Sequence, residues 1–182
     1  EVTSRQCVTD DLQITTQTLA KAVAENDAVI LTGGVSMGDG DFVPAAVERI
    51  GGAIAFHRLP IRPGKPILGA HANGKLILGL PGNPVSVAVT FRVFASPLLE
   101  VLAGTPHEAS STSPHLVTVA EPDDKRLHLH WYRLVNRTEN PAVVRFVVSK
   151  GSGDVVSLGK SHGFVAIPPN TAGEGTYAFY AW

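Results

Sequence analysis

The sequence predicts an α/β domain with a mainly parallel sheet, followed by a small all-β module. Three observations carry this reading. Short apolar strand-like runs alternate with helical periodicity as far as Leu102. A stretch rich in Gly, Pro, Ser and Thr then interrupts the pattern. Beyond it no helical periodicity remains, only strand-like runs and turns. The expected division is residues 1–104, a linker over 105–115, and a β domain over 116–182.

Taken in order, Val2–Val8 alternates like a strand, and Thr9 or Asp10 is placed to cap the helix that follows. Leu12, Leu19, Ala20 and Val23 recur there at helical spacing, and Asn26-Asp27 ends the run. Ala28–Leu31 reads as a buried strand that breaks into Gly33-Gly34. Val43–Ile50 is a second helix closed by Gly51-Gly52, and Ala53–Phe56 another strand. A proline-stiffened loop, His57–Pro66, precedes a hairpin of Ile67–Ala70 and Leu76–Leu80 about Asn73-Gly74. Leu80–Ser86 is a second rigid turn feeding a helix from Val85 to Leu102, apolar on most faces and so expected to be largely buried. Val117–Ala120, Leu127–Val135, Val143–Val148, Gly163–Ile167 and Thr176–Ala181 supply the β module.

Composition narrows the function classes. A net charge of −1 argues against a nucleic-acid or membrane surface, and no apolar stretch is expected to be long enough to span a bilayer. Cys7 is the only cysteine, so no disulfide forms within this chain and no cysteine metal site exists; a reducing compartment, hence the cytoplasm, is expected. The chain starts on Glu1-Val2 rather than Met, and is read as a fragment or processed product incomplete at its N-terminus.

The chemistry concentrates around AVILTGGVSMGDGD, Ala28–Asp41. A strand ending in a glycine pair before a helix leaves backbone N–H donors pointing outward, a usual anion-holding arrangement; the alternative is a plain turn. Between Arg49 and Leu99 there is no Asp or Glu, yet Arg49, Arg58, Arg62, Lys65, Lys75 and Arg92 lie there. Such a field suits a multiply charged anion, each charge-assisted hydrogen bond contributing roughly 1.5–3 kcal/mol. The alternative is a solvated face whose acids come from another segment. Asp39 and Asp41 oppose the field; a Mg²⁺ ion would reconcile acids with a phosphate-type loop, while helix capping is the other role open to Asp41.

Two further motifs bear weighing. Gly34-Val35-Ser36-Met37-Gly38 matches the nucleophile elbow of serine hydrolases, but the helix starts late and no downstream Asp–His pair completes a triad. His128-x-His130 has metal-ligand spacing on one strand face but lacks a third ligand, which favours surface histidines.

TGGVSMGDGDF, then RPGKP, then LPGNPVS before a long helix, resembles the molybdopterin molybdenumtransferase family (MoeA and the gephyrin E domain). The resemblance implies a three-layer sandwich and a small β-barrel. It implies insertion of molybdate into adenylylated molybdopterin with release of AMP and formation of molybdenum cofactor. By motif position, Gly33, Gly34, Ser36 and Asp41 would line the ligand turn, and Asp10 matches a second functional acid. Arg58, Arg62 and Lys65 match basic positions that hold phosphate or molybdate; Asp41, Asp10, Lys65 and Arg62 would be the catalytic set, with Asp41 and Asp39 on the metal. Pro81, Asn83, Pro84 and Ser86 match the rigid turn beside it, and Arg133 and Ser152 the anion contacts of the β module. Arg62, Lys65 and Ser86 are expected to converge on one oxyanion subsite. Arg62 stands where the family commonly has Lys, which keeps charge and changes donor geometry. The family's two N-terminal domains, and the first strand and helix of this domain, have no match here. Since the resemblance implies a homodimer whose active site draws on the neighbouring subunit, a partner-binding scaffold of the gephyrin E-domain type is the alternative. Molybdate and tungstate, both tetrahedral dianions, are not distinguished.

Overall fold

Asp11, not Thr9 or Asp10, starts the first helix: its carboxylate accepts the N–H of Ile14 at 2.8 Å and opens α1 (Leu12–Glu25). The computed structural model describes residues 1–36, 38, 40–105 and 114–182. Two compact units emerge, one of residues 1–59 and 64–82, the other of residues 60–63 and 83–182.

In the first unit Val2–Val8 forms no strand; the segment is exposed and has no ladder partner, and alternation without a partner does not make a strand. β1 (Ala28–Thr32), α2 (Val43–Arg49) and β2 (Ala53–His57) follow as expected. β3 (Ile61–Arg62) belongs to the second unit. β4 (Leu68–Ala72) and β5 (Lys75–Leu80) are joined by Asn73-Gly74, both at positive φ, +51° and +73°, as a tight hairpin turn requires. The sheet order is β1-β5-β4-β2. Only β1 and β5 run parallel; β4 pairs antiparallel with both β5 and β2, so the sheet is mixed rather than mainly parallel. The cause is local: a two-residue hairpin forces antiparallel pairing, and parallel neighbours need a long crossover. Leu19 and Val23 of α1 and Ala46 and Val47 of α2 pack with Leu68, Ala70, Ala72 and Ile77 of the sheet. These helices and the sheet make two layers around one apolar core.

The second unit holds α3 (Pro84–Thr90), a π-helical turn (Phe91–Ala95) and α4 (Ser96–Leu102), continuous over 19 residues. Pro97 has no N–H for the α-helical ladder, and just before it Ser96 N–H reaches back to Phe91 O, the π register. Two expectations fail on this helix. It is long and apolar enough to cross a bilayer. It is also only partly buried: Val85, Ser86, Val89, Thr90 and Ala95 are enclosed, whereas Phe91, Leu99, Val101 and Leu102 are exposed. Val85 and Val89 pack with Leu134 and Phe164, and Arg92 Nε donates to Ala181 O at 2.9 Å. The helix therefore groups with the β module, and the unit boundary falls at Gly82, not at the expected linker, of which residues 106–113 lie outside the described residues.

β6 (His115–Val119), β7 (His130–Arg137), β8 (Val143–Phe146), β9 (Gly163–Ile167) and β10 (Thr176–Ala181) pair in the ring β7-β8-β6-β10-β9, closed by β9 on β7. This is the expected small barrel, and closure leaves none of the five as a free edge. β3 adds alongside β7 in parallel register. A short helix, α5 (Val155–Lys160), breaks the all-β expectation; six residues are too few to display a period. Its cap, Asp154, accepts the N–H of Ser157 at 3.0 Å and of Lys150 at 2.9 Å.

Those bonds carry a pH dependence. The N–H of Lys150, with the hydroxyl and N–H of Ser157, draws the Asp154 carboxyl down to about 2. Hydrogen bonds from Arg133 hold Asp123 below the usual carboxylate range. Folded values below unfolded ones mean stability fully present above about pH 4 and lost as pH falls through the folded values. Thermal melting followed from pH 6 to pH 2 is expected to show Tm dropping below about pH 4, with Asp154→Asn flattening part of the drop.

Candidate functional site

Strand register decides what meets what in the first unit. Thr32 pairs with Leu80, Leu68 with Gly79, and His57 with Leu68. The ends of β1, β2 and β5 and the start of β4 therefore share one end of the sheet. Gly33-Gly34, Arg58, Lys65 and Pro81-Gly82 all sit on connections leaving that end. Ligand sites in open α/β sheets lie outside the carboxyl ends of parallel strands, here β1 and β5. The two-residue connection from α1 into β1 turns the chain back, which directs Asp10, exposed before α1, toward the same end.

The glycine turn is held from several sides. Gly33 and Gly34 lie at φ +83° and +66°, a conformation that side chains resist. Gly33 N–H donates to Leu80 O at 3.0 Å, and Val43 N–H to Gly34 O at 3.0 Å. Val35, buried, sits over Gly79, where an added Cβ would stand 2.6 Å from Val35 Cγ1. His57 Nε2 donates to Val35 O at 2.7 Å; a carbonyl only accepts, so the proton is on Nε2. A Cβ on Gly82 would lie 3.5 Å from Gly33 Cα, so the two turns touch. Gly79→Ala is expected to destabilise the unit by about 1–3 kcal/mol and to loosen the turn above it, read as a lower Tm together with weaker ligand binding.

Asp41 has a definite task. Its Oδ2 accepts the N–H of Gly38 at 2.7 Å and its own N–H donates to Gly38 O at 2.9 Å, closing the loop on itself. It does not cap α2, whose N-cap is Phe42 with no side-chain hydrogen bond. Asp39 lies outside the described residues. Among the described residues no cluster of three His, Cys, Asp or Glu is arranged for a metal. Ser36 is exposed, and its hydroxyl has no histidine partner among the described residues.

The basic field resolves into separate parts. Lys75 is at the opposite end of the sheet, 2.9 Å from Asp27, and Arg92 is bonded to Ala181. Arg58, at φ +64°, donates its N–H to Ile67 O, while its side chain and that of Lys65 form no ion pair among the described residues. Arg62 belongs to the second unit, as does Ser86, whereas Lys65 belongs to the first.

In the second unit two expected residues meet: Asn83 Nδ2 donates to Ser152 Oγ at 2.9 Å, and Val85 N–H to Ser152 O at 3.0 Å. Pro84 occupies the first turn of α3, and Ser86 is buried. Arg133 is not free for an anion. Its guanidinium makes two 2.8 Å bonds to Asp123 and lies 3.4 Å from the Phe146 ring centroid. Residues 127–129 are not in a strand, so His128 and His130 do not share a strand face; His128 Nδ1 is 2.6 Å from Asn170 Oδ1.

Sequence reasoning missed His57, Val35 and Gly79. The signal for Gly79 was a lone glycine inside LILGL, which marks a close approach. For the His57–Val35 contact, 22 residues apart in sequence, no local signal exists.

A family model described as a probable molybdopterin binding domain (MoCF_biosynth) matches residues 1–101, which include both turns. The chain belongs to this family. With the relatives that follow, the match shows the resemblance to the MoeA and gephyrin E-domain family. The molybdopterin molybdenumtransferase of Bacillus subtilis is 32% identical over 168 residues, covering 91% of this chain and 39% of the relative. The molybdenum cofactor synthesis protein cinnamon of Drosophila melanogaster is 46% identical over 99 residues, 54% of this chain and 16% of that protein. The chain thus spans about two fifths of the bacterial relative. In fold it is similar to a molybdopterin biosynthesis MoeA protein from Pyrococcus horikoshii, with TM-score 0.76 and 24% identity over 96% of this chain and 42% of that one.

Proposed function

We propose that this chain is the ligand-binding part of a molybdopterin molybdenumtransferase of molybdenum cofactor biosynthesis. The observation that carries the reading is the gathering of Gly33-Gly34, Arg58, Lys65 and Pro81-Gly82 at one end of the first sheet. The reaction would be insertion of molybdate into adenylylated molybdopterin with release of AMP. The glycine turn and Ser36 would seat the nucleotide, and Arg58 and Lys65 would meet its phosphates. Positive charge fixed before reaction stabilises the charge that grows on a leaving phosphate. Asn83, Pro84, Ser86 and Ser152, with Arg62, are proposed as ligand contacts within the second unit. Asp10 is assigned as a further acid.

Mg²⁺ takes one or two carboxylates plus oxygens of substrate and water. Asp41 fits that need, since Gly38 engages only Oδ2. The ion would neutralise phosphate charge there. The family's three-layer sandwich and its homodimer are proposed for the whole protein. A second reading, a partner-binding scaffold, draws on the exposed Leu99, Val101 and Leu102 of α4; it predicts peptide binding unaffected by EDTA.

Calorimetric titration with adenylylated molybdopterin tests the proposal. Binding that weakens in Asp41→Asn, and more so with Mg²⁺ than in EDTA, is expected. No binding by the folded chain would overturn it.

A further inference from the structure

The second unit contains an aromatic–cation chain that ends on a proposed anion contact. Arg62 on β3 and Trp131 on β7 are register partners, so their side chains share one face of the pairing. The Arg62 guanidinium carbon is 5.9 Å from the Trp131 ring centroid. The Arg133 guanidinium carbon lies 4.3 Å from that same centroid and 3.4 Å from that of Phe146. Arg133 is itself fixed by two 2.8 Å bonds to Asp123, with its side chain only 12% exposed. The series runs from a part-buried ion pair, through a half-buried indole, to an exposed guanidinium.

An exposed arginine ordinarily loses rotamer freedom when it binds an anion, and that loss weakens binding. An aromatic face within cation–π range limits that freedom beforehand, because it draws the guanidinium toward one position over the ring. Trp131 can do this only if its own ring is held, and the Arg133 guanidinium, fixed by Asp123, supplies the hold. The arrangement also suits Arg at position 62, since Arg engages aromatic faces more often than Lys.

We infer that Trp131 is a positioning residue that pre-orients Arg62 for an oxyanion. The inference rests on the reading above that Arg62 contacts the anion. It assigns to Trp131 and Asp123 a role in binding without contact to the substrate.

Calorimetric titration with sodium molybdate tests it in Arg62→Ala, Trp131→Leu, Trp131→Phe and the double variant. Arg62→Ala is expected to weaken binding about tenfold or more. Trp131→Leu should weaken it about threefold, Trp131→Phe should restore most of that loss, and Trp131→Leu should add nothing in the Arg62→Ala background. Should Trp131→Leu fail to fold, Trp131→Met replaces it in the same two backgrounds, with the same loss expected beside Arg62 and none beside Arg62→Ala. If wild type binds no molybdate, or Arg62→Ala binds as wild type does, the reading of Arg62 falls and this one with it. If Arg62→Ala weakens binding while the Trp131 loss is absent, or persists without Arg62, the positioning role alone is overturned.

Discussion

Arg133→Ala is expected to destabilise the second unit by about 3 kcal/mol or more, the largest effect of any single substitution considered for this chain. The side chain does two things at once. It neutralises Asp123 through two 2.8 Å bonds, and it fills the space between Trp131 and Phe146. Alanine leaves a carboxylate without its partner and a gap beneath two aromatic rings. Asp123 is 33% exposed at its side chain, so water relieves part of the penalty and keeps the value near the lower end for enclosed pairs. Replacing both partners, Arg133→Met with Asp123→Asn, should recover much of the loss, because no charge is then stranded. Urea unfolding followed by tryptophan fluorescence measures all three variants. A loss below about 1 kcal/mol in Arg133→Ala would mean that the pair is effectively solvated.

The next largest effects belong to Arg58 and Lys65. Each carries a full positive charge on a connection leaving the glycine-turn end of the first sheet, and neither has an ion-pair partner among the described residues. If both meet phosphate oxygens, Arg58→Ala and Lys65→Ala each remove a charge-assisted hydrogen bond of roughly 1.5–3 kcal/mol, or about 10- to 150-fold in affinity. Lys75→Ala is the internal control. It removes the same charge from the same sheet, but at the Asn73-Gly74 end, where Lys75 is already paired with Asp27. Calorimetry with adenylylated molybdopterin should show large losses for the first two and almost none for the third. Equal losses in all three would indicate a diffuse field rather than a site.

Where structure followed from neighbours in sequence, it was legible. Asn73-Gly74 between two apolar runs specified a hairpin, and Gly51-Gly52 after Val43–Arg49 specified a helix end. The five barrel strands were legible within a few residues, because half-buried strands alternate. Where structure depended on partners distant in sequence, reading failed. Val2–Val8 alternates without anything to pair with. The helix from Pro84 reads as core because it is apolar, but burial depends on what surrounds it, and α4 has no buried side chain. The two-residue strand Ile61–Arg62 exists only because β7 lies beside it. The candidate site divides the same way. Gly33, Gly34, Arg58, Lys65 and Pro81 were legible as motifs, whereas the commitment of Arg133 to Asp123 required the fold to bring the two together. The same is true of the hold that His57 and Gly79 exert on Val35.

The central claim is that one end of the first sheet, and not the other, binds the nucleotide. Amide chemical-shift mapping of the isotope-labelled chain during titration with adenylylated molybdopterin tests it most directly. Saturable shifts are expected at Gly33, Gly34, Ser36, Arg58, Lys65 and Gly82, with Asp27, Asn73 and Gly74 at the far end unmoved. Shifts centred on Asp27 and Asn73-Gly74, with the glycine turn silent, would contradict the account.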